Sequence, residues 1–131
     1  MALTTLYSRK LDFFKGKKMT NRLNPNESLQ KNKPLYSEDE HYKLLLQDDG
    51  NLVLYTKVGK APWSSHTNGH AVESCIMQGD GNLVIYGYDR SVLWASQTDG
   101  HPGAYLEVQN DGNVVIYNHG SVLWSTDTYE R

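Results

Sequence analysis

The stretch QDDGNLVLY, residues 47–55, decides the fold because the chain repeats it twice. The copies are QGDGNLVIY at residues 78–86 and QNDGNVVIY at residues 109–117, so each begins 31 residues after the one before. One tryptophan follows each copy at nearly the same distance: Trp63, Trp94 and Trp124. Repeats of fixed period are the sequence signature of an architecture built from equivalent units. The sequence therefore predicts three equivalent units within one domain of ordinary size.

The residues around Asp48-Asp49-Gly50 predict a β-hairpin. Short apolar runs, YKLLL and NLVLY, flank these three residues, and a glycine that closes a three-residue connection can take the left-handed conformation. Pairing Gln47 with Asn51 sets a register in which side chains two apart share one face. In all three units this register makes every inner-face residue apolar: Leu44, Leu46, Leu52 and Leu54; Cys75, Met77, Leu83 and Ile85; and Leu106, Val108, Val114 and Ile116.

The outer face gathers three hydrogen-bonding side chains, a valine and a phenol beside each turn. Turn chemistry explains the Asp-Gly pair, but it requires neither Gln two residues before Asp nor Tyr four residues after Asn. Carboxylate and amide groups at fixed separation suit vicinal hydroxyls, and a valine suits the C–H face of a sugar ring. The pattern therefore favours a hexose as the ligand of the outer face.

Three copies of Q-x-D-x-N-x-V-x-Y resemble the monocot mannose-binding lectins, also called bulb-type lectins. Residues 21–47 extend the similarity, with Asn26 and Asn32 where that family usually has glycine; asparagine tolerates a positive φ better than most residues. The resemblance implies an all-β fold, the β-prism II, with three four-stranded antiparallel sheets around a pseudo-threefold axis and the tryptophans at the centre. We therefore divide the chain into an N-terminal extension, 1–20, and a lectin domain with three internal repeats, 21–131.

The resemblance also implies one mannose site on each sheet. Asp and Asn would hold the axial 2-hydroxyl, Gln the 3-hydroxyl and Tyr the 4-hydroxyl, while Val would touch the ring carbons. An epimer would leave buried partners unpaired, which favours mannose over glucose and galactose. The site residues are Gln47, Asp49, Asn51, Val53 and Tyr55; Gln78, Asp80, Asn82, Val84 and Tyr86; and Gln109, Asp111, Asn113, Val115 and Tyr117.

Two residues depart from the family pattern. Gly50 stands where many members carry a half-cystine, so that disulfide is absent. Glu107 projects on the outer face opposite Val115, where the other units have Leu45 and Ile76. A carboxylate at this point would either add a contact to the sugar or spoil the apolar floor. The third site is therefore the one expected to differ.

Binding at a single site is expected to be weak. Net hydrogen bonds contribute roughly 0.5–1.5 kcal/mol each, which gives a Kd on the order of 1 mM, or about 4 kcal/mol. Three sites per chain, doubled in a dimer, would raise the avidity for high-mannose glycans by about 10²–10⁴. The resemblance implies exchange of the C-terminal strand between two chains, so we expect a homodimer formed through residues 121–131.

Residues 1–20 lie outside the resemblance and are basic, with five basic residues and one acid. Apolar residues recur at helical spacing before Gly16: Leu3, Leu6 or Tyr7, Leu11 and Phe14. Such a segment can lie on an anionic membrane surface or dock on a partner. The alternatives are that it packs against its own acidic domain or an adjoining chain, or is an ordinary tail.

Catalysis is not expected, because a glycosidase needs two carboxylates flanking one bond and the three motif copies share a single acid. No compact set of His and Cys has the spacing of zinc ligands, and we expect no metal, no cofactor and no nucleic-acid partner. The competing function is a cytoskeletal or membrane-associated interaction scaffold on the same prism. In that case the sugar sites would be secondary and the basic extension would target the protein.

Cysteine usage and the N-terminus give an expectation for the cellular compartment. Cys75 stands alone, so no internal disulfide forms; a reducing compartment fits, and the thiol is expected to be a small buried hydrophobe. No apolar run approaches the roughly 18–20 residues of a membrane span. Arg9 and Lys10 fall where a signal peptide needs its apolar stretch. We expect a cytoplasmic protein or one secreted by a non-classical route.

Overall fold

The computed structural model describes residues 20–130, and within that range the chain is built from twelve β-strands without a helix. The extension predicted for residues 1–20 falls, apart from Thr20, outside the described residues. None of the described segments is a helix that could cross a membrane. The strands are β1 (Arg22–Leu23), β2 (Glu27–Leu29), β3 (Leu35–Tyr36), β4 (Tyr42–Leu46), β5 (Leu52–Thr56), β6 (Trp63–Ser64), β7 (Val72–Met77), β8 (Leu83–Gly87), β9 (Val92–Ala95), β10 (Tyr105–Val108), β11 (Val114–Asn118) and β12 (Ser121–Ser125).

The strands form three four-stranded antiparallel sheets. Sheet 1 has the order β3-β4-β5-β6, sheet 2 the order β2-β7-β8-β9, and sheet 3 the order β1-β10-β11-β12. In each sheet three consecutive strands from one sequence repeat form a meander. The fourth strand comes from residues 22–36, which supply one edge strand to each sheet in turn. This architecture confirms the predicted β-prism II fold.

The hairpin register predicted from the sequence is confirmed. Gln47 N donates to Asn51 O at 2.9 Å, and Leu46 lies opposite Leu52. The same register recurs in the other two units, with Met77 opposite Leu83 and with Val108 opposite Val114. All twelve predicted inner-face residues are at most 1% exposed. Because one face of every sheet is buried, a slip by one residue would turn these side chains to solvent.

The three tryptophans meet where the sheets converge. The ring centroids of Trp63, Trp94 and Trp124 lie 5.5–5.7 Å apart, and the ring planes cross at 72–77°. Each indole thus presents an edge to the face of a neighbour, the arrangement that the aromatic quadrupole favours. The predicted central position of the tryptophans is confirmed, and the cluster joins the strands β6, β9 and β12.

Cys75 is a core residue. It lies on β7 with no exposed surface, and burial raises the pKa of its thiol to about 12. The thiol is therefore neutral at any ordinary pH, as expected for a small buried hydrophobe.

Tight turns account for the positive backbone angles. Asn26 and Asn32 have φ of 71° and 63°, so asparagine occupies the left-handed region as the sequence indicated. Gly81 has φ +97°, and a Cβ built on it would lie 2.5 Å from the carbonyl oxygen of His101. Gly100 has φ +86° with nothing within 4 Å of a built Cβ. Both glycines adopt a φ that would strain any other residue, but they differ in the space around them.

We expect Gly81→Ala to destabilise the fold more than Gly100→Ala. A side chain in the left-handed region costs about 1–2 kcal/mol at either position, and overpacking against the His101 carbonyl adds about 1–3 kcal/mol at Gly81 alone. Urea unfolding followed by tryptophan fluorescence measures both free energies of unfolding. Equal losses in the two variants would contradict the packing described for this hairpin.

Candidate functional site

Each set of predicted site residues forms a cluster on the outer face of one sheet, at the closed end of a hairpin. We call the clusters on sheets 1, 2 and 3 site 1, site 2 and site 3. In site 1, Gln47 precedes the turn, Asp49 lies in it, Asn51 ends it, and Val53 and Tyr55 follow on β5. Sites 2 and 3 have the same layout. The structure thus brings the five residues of each motif together.

A chain of side-chain hydrogen bonds crosses each site. In site 1 the Tyr55 phenol donates to Gln47 Oε1, and Gln47 Nε2 donates to the Asp49 carboxylate oxygens at 3.1 and 3.3 Å. The corresponding bonds recur in site 2 and site 3. The glutamine amide is therefore oriented, with its oxygen toward tyrosine and its nitrogen toward aspartate.

The aspartate of each site is held as an acceptor. Asp49 Oδ1 also accepts from Asn51 N at 3.0 Å, as aspartate commonly does in turns. This backbone bond, followed by the bond from Gln47, holds the pKa of Asp49 below its ordinary value. The carboxylate is exposed and ionised at neutral pH. It can accept a further hydrogen bond from a ligand.

The asparagine of each site is held through its oxygen. Thr67 N and Ser65 Oγ donate to Asn51 Oδ1 at 3.2 and 3.3 Å. Asn51 Nδ2 makes no hydrogen bond to any residue between 20 and 130, so its two N–H groups remain as donors. Asn82 and Asn113 are held in the same way. Each site thus presents an amide donor beside a carboxylate acceptor.

A second repeated motif positions the asparagine, a role that the sequence alone did not predict. It is Ser/Thr-x-Thr, two and four residues after each tryptophan: Ser65-His66-Thr67, Ser96-Gln97-Thr98 and Thr126-Asp127-Thr128. The two hydroxyls of each copy lie 2.7 Å apart, and the second donates to the carbonyl of the motif glycine. The middle residue has φ between 56° and 60°. The motif recurs at the same distance after each tryptophan, and this regular spacing could have revealed its role from the sequence.

The valine of each site contributes little exposed surface. Val53, Val84 and Val115 are only 2–3% exposed. Any apolar contact that they offer a ligand is a narrow patch at the bottom of the cluster. The outer face is therefore dominated by its hydrogen-bonding groups.

Site 3 differs from the other two at the predicted position. Glu107 lies opposite Val115, and its carboxylate accepts from Arg22 Nε at 2.9 Å. The Arg22 guanidinium also lies 4.3 Å from the Tyr105 ring centroid. Burial first, and then the Glu107 charge, raises the pKa of Tyr117. The carboxylate foreseen at this site is thus paired with an arginine from β1, whose approach the sequence did not predict.

Site 3 is also closed by a residue from another sheet. In sites 1 and 2, Gly69 N and His101 N donate to the carbonyls of Asp49 and Asp80 at 2.8 and 2.9 Å. In site 3 the corresponding donor is Glu130 N, 2.6 Å from Asp111 O. The Glu130 carboxylate in turn accepts from the Tyr42 phenol of sheet 1 at 2.8 Å. The Tyr42 phenol therefore binds the C-terminal segment that carries Thr126 and Thr128.

Residues 20–130 contain no group of three or more His, Cys, Asp or Glu side chains arranged to hold a metal ion. The side chains of the three sequence motifs are therefore neutral amide donors, carboxylate acceptors and phenols. These are the groups that form hydrogen bonds with a polyhydroxylated ligand.

The chain is similar to solved lectin structures. A monomeric monocot mannose-binding lectin from Gastrodia elata is 40% identical, with 84% of this chain and 99% of that chain covered and a TM-score of 0.72. The chain belongs to the monocot mannose-binding lectin family. The mannose-specific agglutinin of snowdrop (Galanthus nivalis), solved with methyl-α-D-mannoside, is 38% identical to this lectin, with 85% and 99% covered and a TM-score of 0.65.

A third solved lectin structure is also similar to the chain. A lectin from Marasmius oreades is 28% identical to this bulb-type lectin, covers 85% of it and 93% of its own chain, and has a TM-score of 0.78. No protein-family model and no curated protein sequence matches the chain. Lectins are non-enzymatic carbohydrate-binding proteins, so this lectin is not an enzyme.

We expect Thr98→Val to destabilise the hairpin of site 2. Thr98 is 5% exposed, and its hydroxyl donates to the Gly81 carbonyl. Leaving a buried carbonyl unpaired costs about 1–3 kcal/mol, which urea unfolding measures. Thr98→Ser keeps the hydroxyl and is the matched control. A Thr98→Val variant no less stable than Thr98→Ser would contradict the role given to the Ser/Thr-x-Thr motif.

The bond between Tyr42 and Glu130 is expected to break in alkali. The Glu130 carboxylate, by accepting from the phenol, is the main cause that raises the pKa of Tyr42 from 10.0 to about 12. A pKa raised in the folded state means that the stabilisation is complete below pH 10 and is lost as the pH rises through about 12.

The titration of the Tyr42 phenol is obtained by difference. The ultraviolet absorbance of tyrosinate in the Tyr42→Phe variant is subtracted from that of the unaltered chain. Glu130→Gln is expected to move the difference titration back toward 10.0. A Tyr42 signal that already titrates at its ordinary value in the unaltered chain would show that the two side chains are not bonded in solution.

Proposed function

We propose that this lectin recognises α-D-mannose and mannose-rich glycans through up to three sites per chain, sites 1, 2 and 3. The observation that carries the proposal is the pairing, in every site, of an aspartate carboxylate with an asparagine whose Nδ2 group makes no hydrogen bond to any residue between 20 and 130. The snowdrop agglutinin was solved with methyl-α-D-mannoside and the Polygonatum cyrtonema lectin with a monomannoside.

The proposed mode of binding follows from the donors and acceptors. A sugar hydroxyl is both donor and acceptor, so one hydroxyl can donate to the Asp49 carboxylate and accept from Asn51 Nδ2. The neighbouring Gln47 amide and Tyr55 phenol would take the next two hydroxyls around the ring. The internal bonds of each site fix these groups before the sugar arrives, which lowers the entropic cost of binding.

Discrimination between hexoses rests on the same pairs. The axial 2-hydroxyl of mannose would lie between Asp and Asn, and the equatorial 4-hydroxyl would meet Tyr. Glucose moves the first hydroxyl and galactose moves both, so each leaves site groups unpaired. A site built for a hydroxyl rejects analogues that do not supply it.

We further propose that avidity comes from several sites and from a homodimer. Strand β12 is an edge strand that pairs with β11 of its own chain, and its Val122 is 60% exposed. Exchange of this strand between two chains would preserve the pairing with β11. The Gastrodia elata lectin is monomeric, so the dimer is a property to be tested on this chain. Sedimentation at micromolar concentration is expected to give the mass of two chains, and a mass of one would contradict it.

A scaffold function finds less support, because the solved structures similar to this chain are lectins. Contact of residues 1–20 with a membrane surface stays a prediction, since residues 1–19 lie outside the described range. A cytoplasmic or non-classically secreted location is likewise a prediction from the sequence.

A two-dimensional amide NMR titration tests the proposed function. Methyl α-mannoside is expected to shift amides around Asn51, Asn82 and Asn113 with Kd on the order of 1 mM. Methyl α-galactoside is the control and is expected to shift none of them. If no amide of the three sites shifts at a mannoside concentration of roughly 50 mM, well above that Kd, the proposal is wrong.

Asn51→Asp tests the amide donor and also adds a second carboxylate beside Asp49. The substitution keeps the shape of the side chain and the oxygen that accepts from Thr67 N, but replaces the Nδ2 donor by a second acceptor. We expect mannoside binding at site 1 to weaken by about 10-fold or more, because a buried ligand group loses its partner. Asn82 and Asn113 serve as controls within the same spectrum. Unchanged affinity at site 1 would show that Asn51 Nδ2 does not donate to the sugar.

A further inference from the structure

A cavity of about 440 Å³ adjoins site 1 on the outer face of sheet 1. Its lining includes Tyr55, which also belongs to site 1, so a group in the cavity would be continuous with a sugar in the site. The other lining residues that matter here are Tyr36, His41, Tyr42, Lys43 and Lys57. Three phenols and two ammonium groups thus border one space beside the proposed mannose site.

The two lysines give the cavity a positive character. Neither Lys43 nor Lys57 forms an ion pair with any residue between 20 and 130. Lys43 lies opposite Tyr55 in the β4–β5 register, and its Nζ is 5.9 Å from the centroid of the Tyr55 ring. An ammonium over a ring face at this distance is attracted to it. The charge is therefore held next to the phenol of site 1.

The remaining ionisable groups of the lining do not cancel this charge. Of the lining residues in the described part of the chain, 20–130, Glu40 is the one that carries a carboxylate. His41 is already engaged, since its Nδ1 lies 3.4 Å from Asp39 Oδ2. Two lysines against one glutamate leave an excess of one positive charge. The Tyr55 and Tyr42 phenols already donate to Gln47 and Glu130, so the Tyr36 phenol is the further hydrogen-bond donor. Such a lining suits an anionic oxygen group.

The pair of lysines occurs on sheet 1 alone. The residues in register with Lys43 on the other sheets are Ser74 and Tyr105, and those in place of Lys57 are Tyr88 and His119. On sheet 3 the nearby arginine, Arg22, is paired with Glu107. On sheet 2, Arg90 lies 5.8 Å from the Tyr86 ring centroid and Lys31 lies 5.2 Å from that of Tyr88. The cavity beside Tyr88 has Asp89 in its lining and neither of these cations. Sheet 1 therefore differs from sheets 2 and 3 in placing two cations around one cavity next to its site.

We propose that this cavity is a subsite for an anionic ester, a phosphate or sulfate carried by the mannose or by the next residue of the glycan. Site 1 would then prefer acidic mannosides, while sites 2 and 3 take neutral ones. The inference rests on the proposed mannose site, to which it adds a specificity element built from Lys43 and Lys57.

Amide NMR titrations at low salt test the proposed subsite. The ligands are mannose 6-phosphate, mannose 6-sulfate and mannose 1-phosphate, and each is compared with methyl α-mannoside. We expect at least one ester to bind site 1 about tenfold more tightly than the neutral sugar, because two exposed ion pairs contribute modestly. The preference should shrink as salt screens the charges. Sites 2 and 3 are the internal controls. Esters that bind site 1 no better than methyl α-mannoside, or favour all three sites equally, would overturn the inference.

A double variant, Lys43→Gln with Lys57→Gln, should abolish the preference for the ester and leave neutral mannoside binding at site 1 unchanged. Lys33→Gln, outside the cavity lining, is the matched control and should keep the preference. Persistence of the preference in the double variant would show that the cavity does not hold the anion. If neutral mannoside itself fails to bind site 1, the proposed function fails; if it binds and the esters gain nothing, only the subsite is wrong.

Discussion

Three sheets, each with one apolar face, close around a common centre, and the rest of the structure follows from this closure. Each sheet has one apolar face, and an isolated sheet would expose that face to water. Burial of the twelve inner-face residues and the edge-to-face contacts of Trp63, Trp94 and Trp124 remove that surface for all three sheets at once. Residues 22–36 add a strand to every sheet, so the fold holds without the disulfide that Gly50 precludes.

Burial of the apolar faces also places the motif residues on the outer faces of the sheets. Because side chains alternate along a strand, burying one face commits the motif residues to the other. The Ser/Thr-x-Thr segments that follow the tryptophans then bond the motif asparagines from behind. Core and site are thus linked through each tryptophan and the four residues after it. Repeats that share this frame still differ locally, since site 1 has unpaired lysines beside it and site 3 has an arginine–glutamate pair.

Features that follow from local pattern could be predicted from the sequence. The register from Gln47 and Asn51, the burial of Cys75 and the positive φ of Asn26 and Asn32 depend on neighbours along the chain or on the repeat. Contacts between distant side chains could not be predicted. Arg22 and Glu107 are 85 residues apart, and Tyr42 and Glu130 are 88 apart, so only the folded prism brings them together. The Ser/Thr-x-Thr segments are visible as a repeat in the sequence. Their role was harder to predict, because hydroxyl groups that form hydrogen bonds across a turn produce no hydrophobic periodicity.

A crystal structure with methyl α-mannoside tests most directly whether the three sites are formed before the sugar arrives. We expect one sugar hydroxyl within about 2.7–3.2 Å of both the aspartate carboxylate and Asn Nδ2 in sites 1 and 2. We also expect that the bonds from Thr67 N to Asn51 and from Thr98 N to Asn82 stay intact. A sugar bound away from these clusters, or bound only after those asparagines turn and the glutamine–tyrosine bonds break, would contradict it.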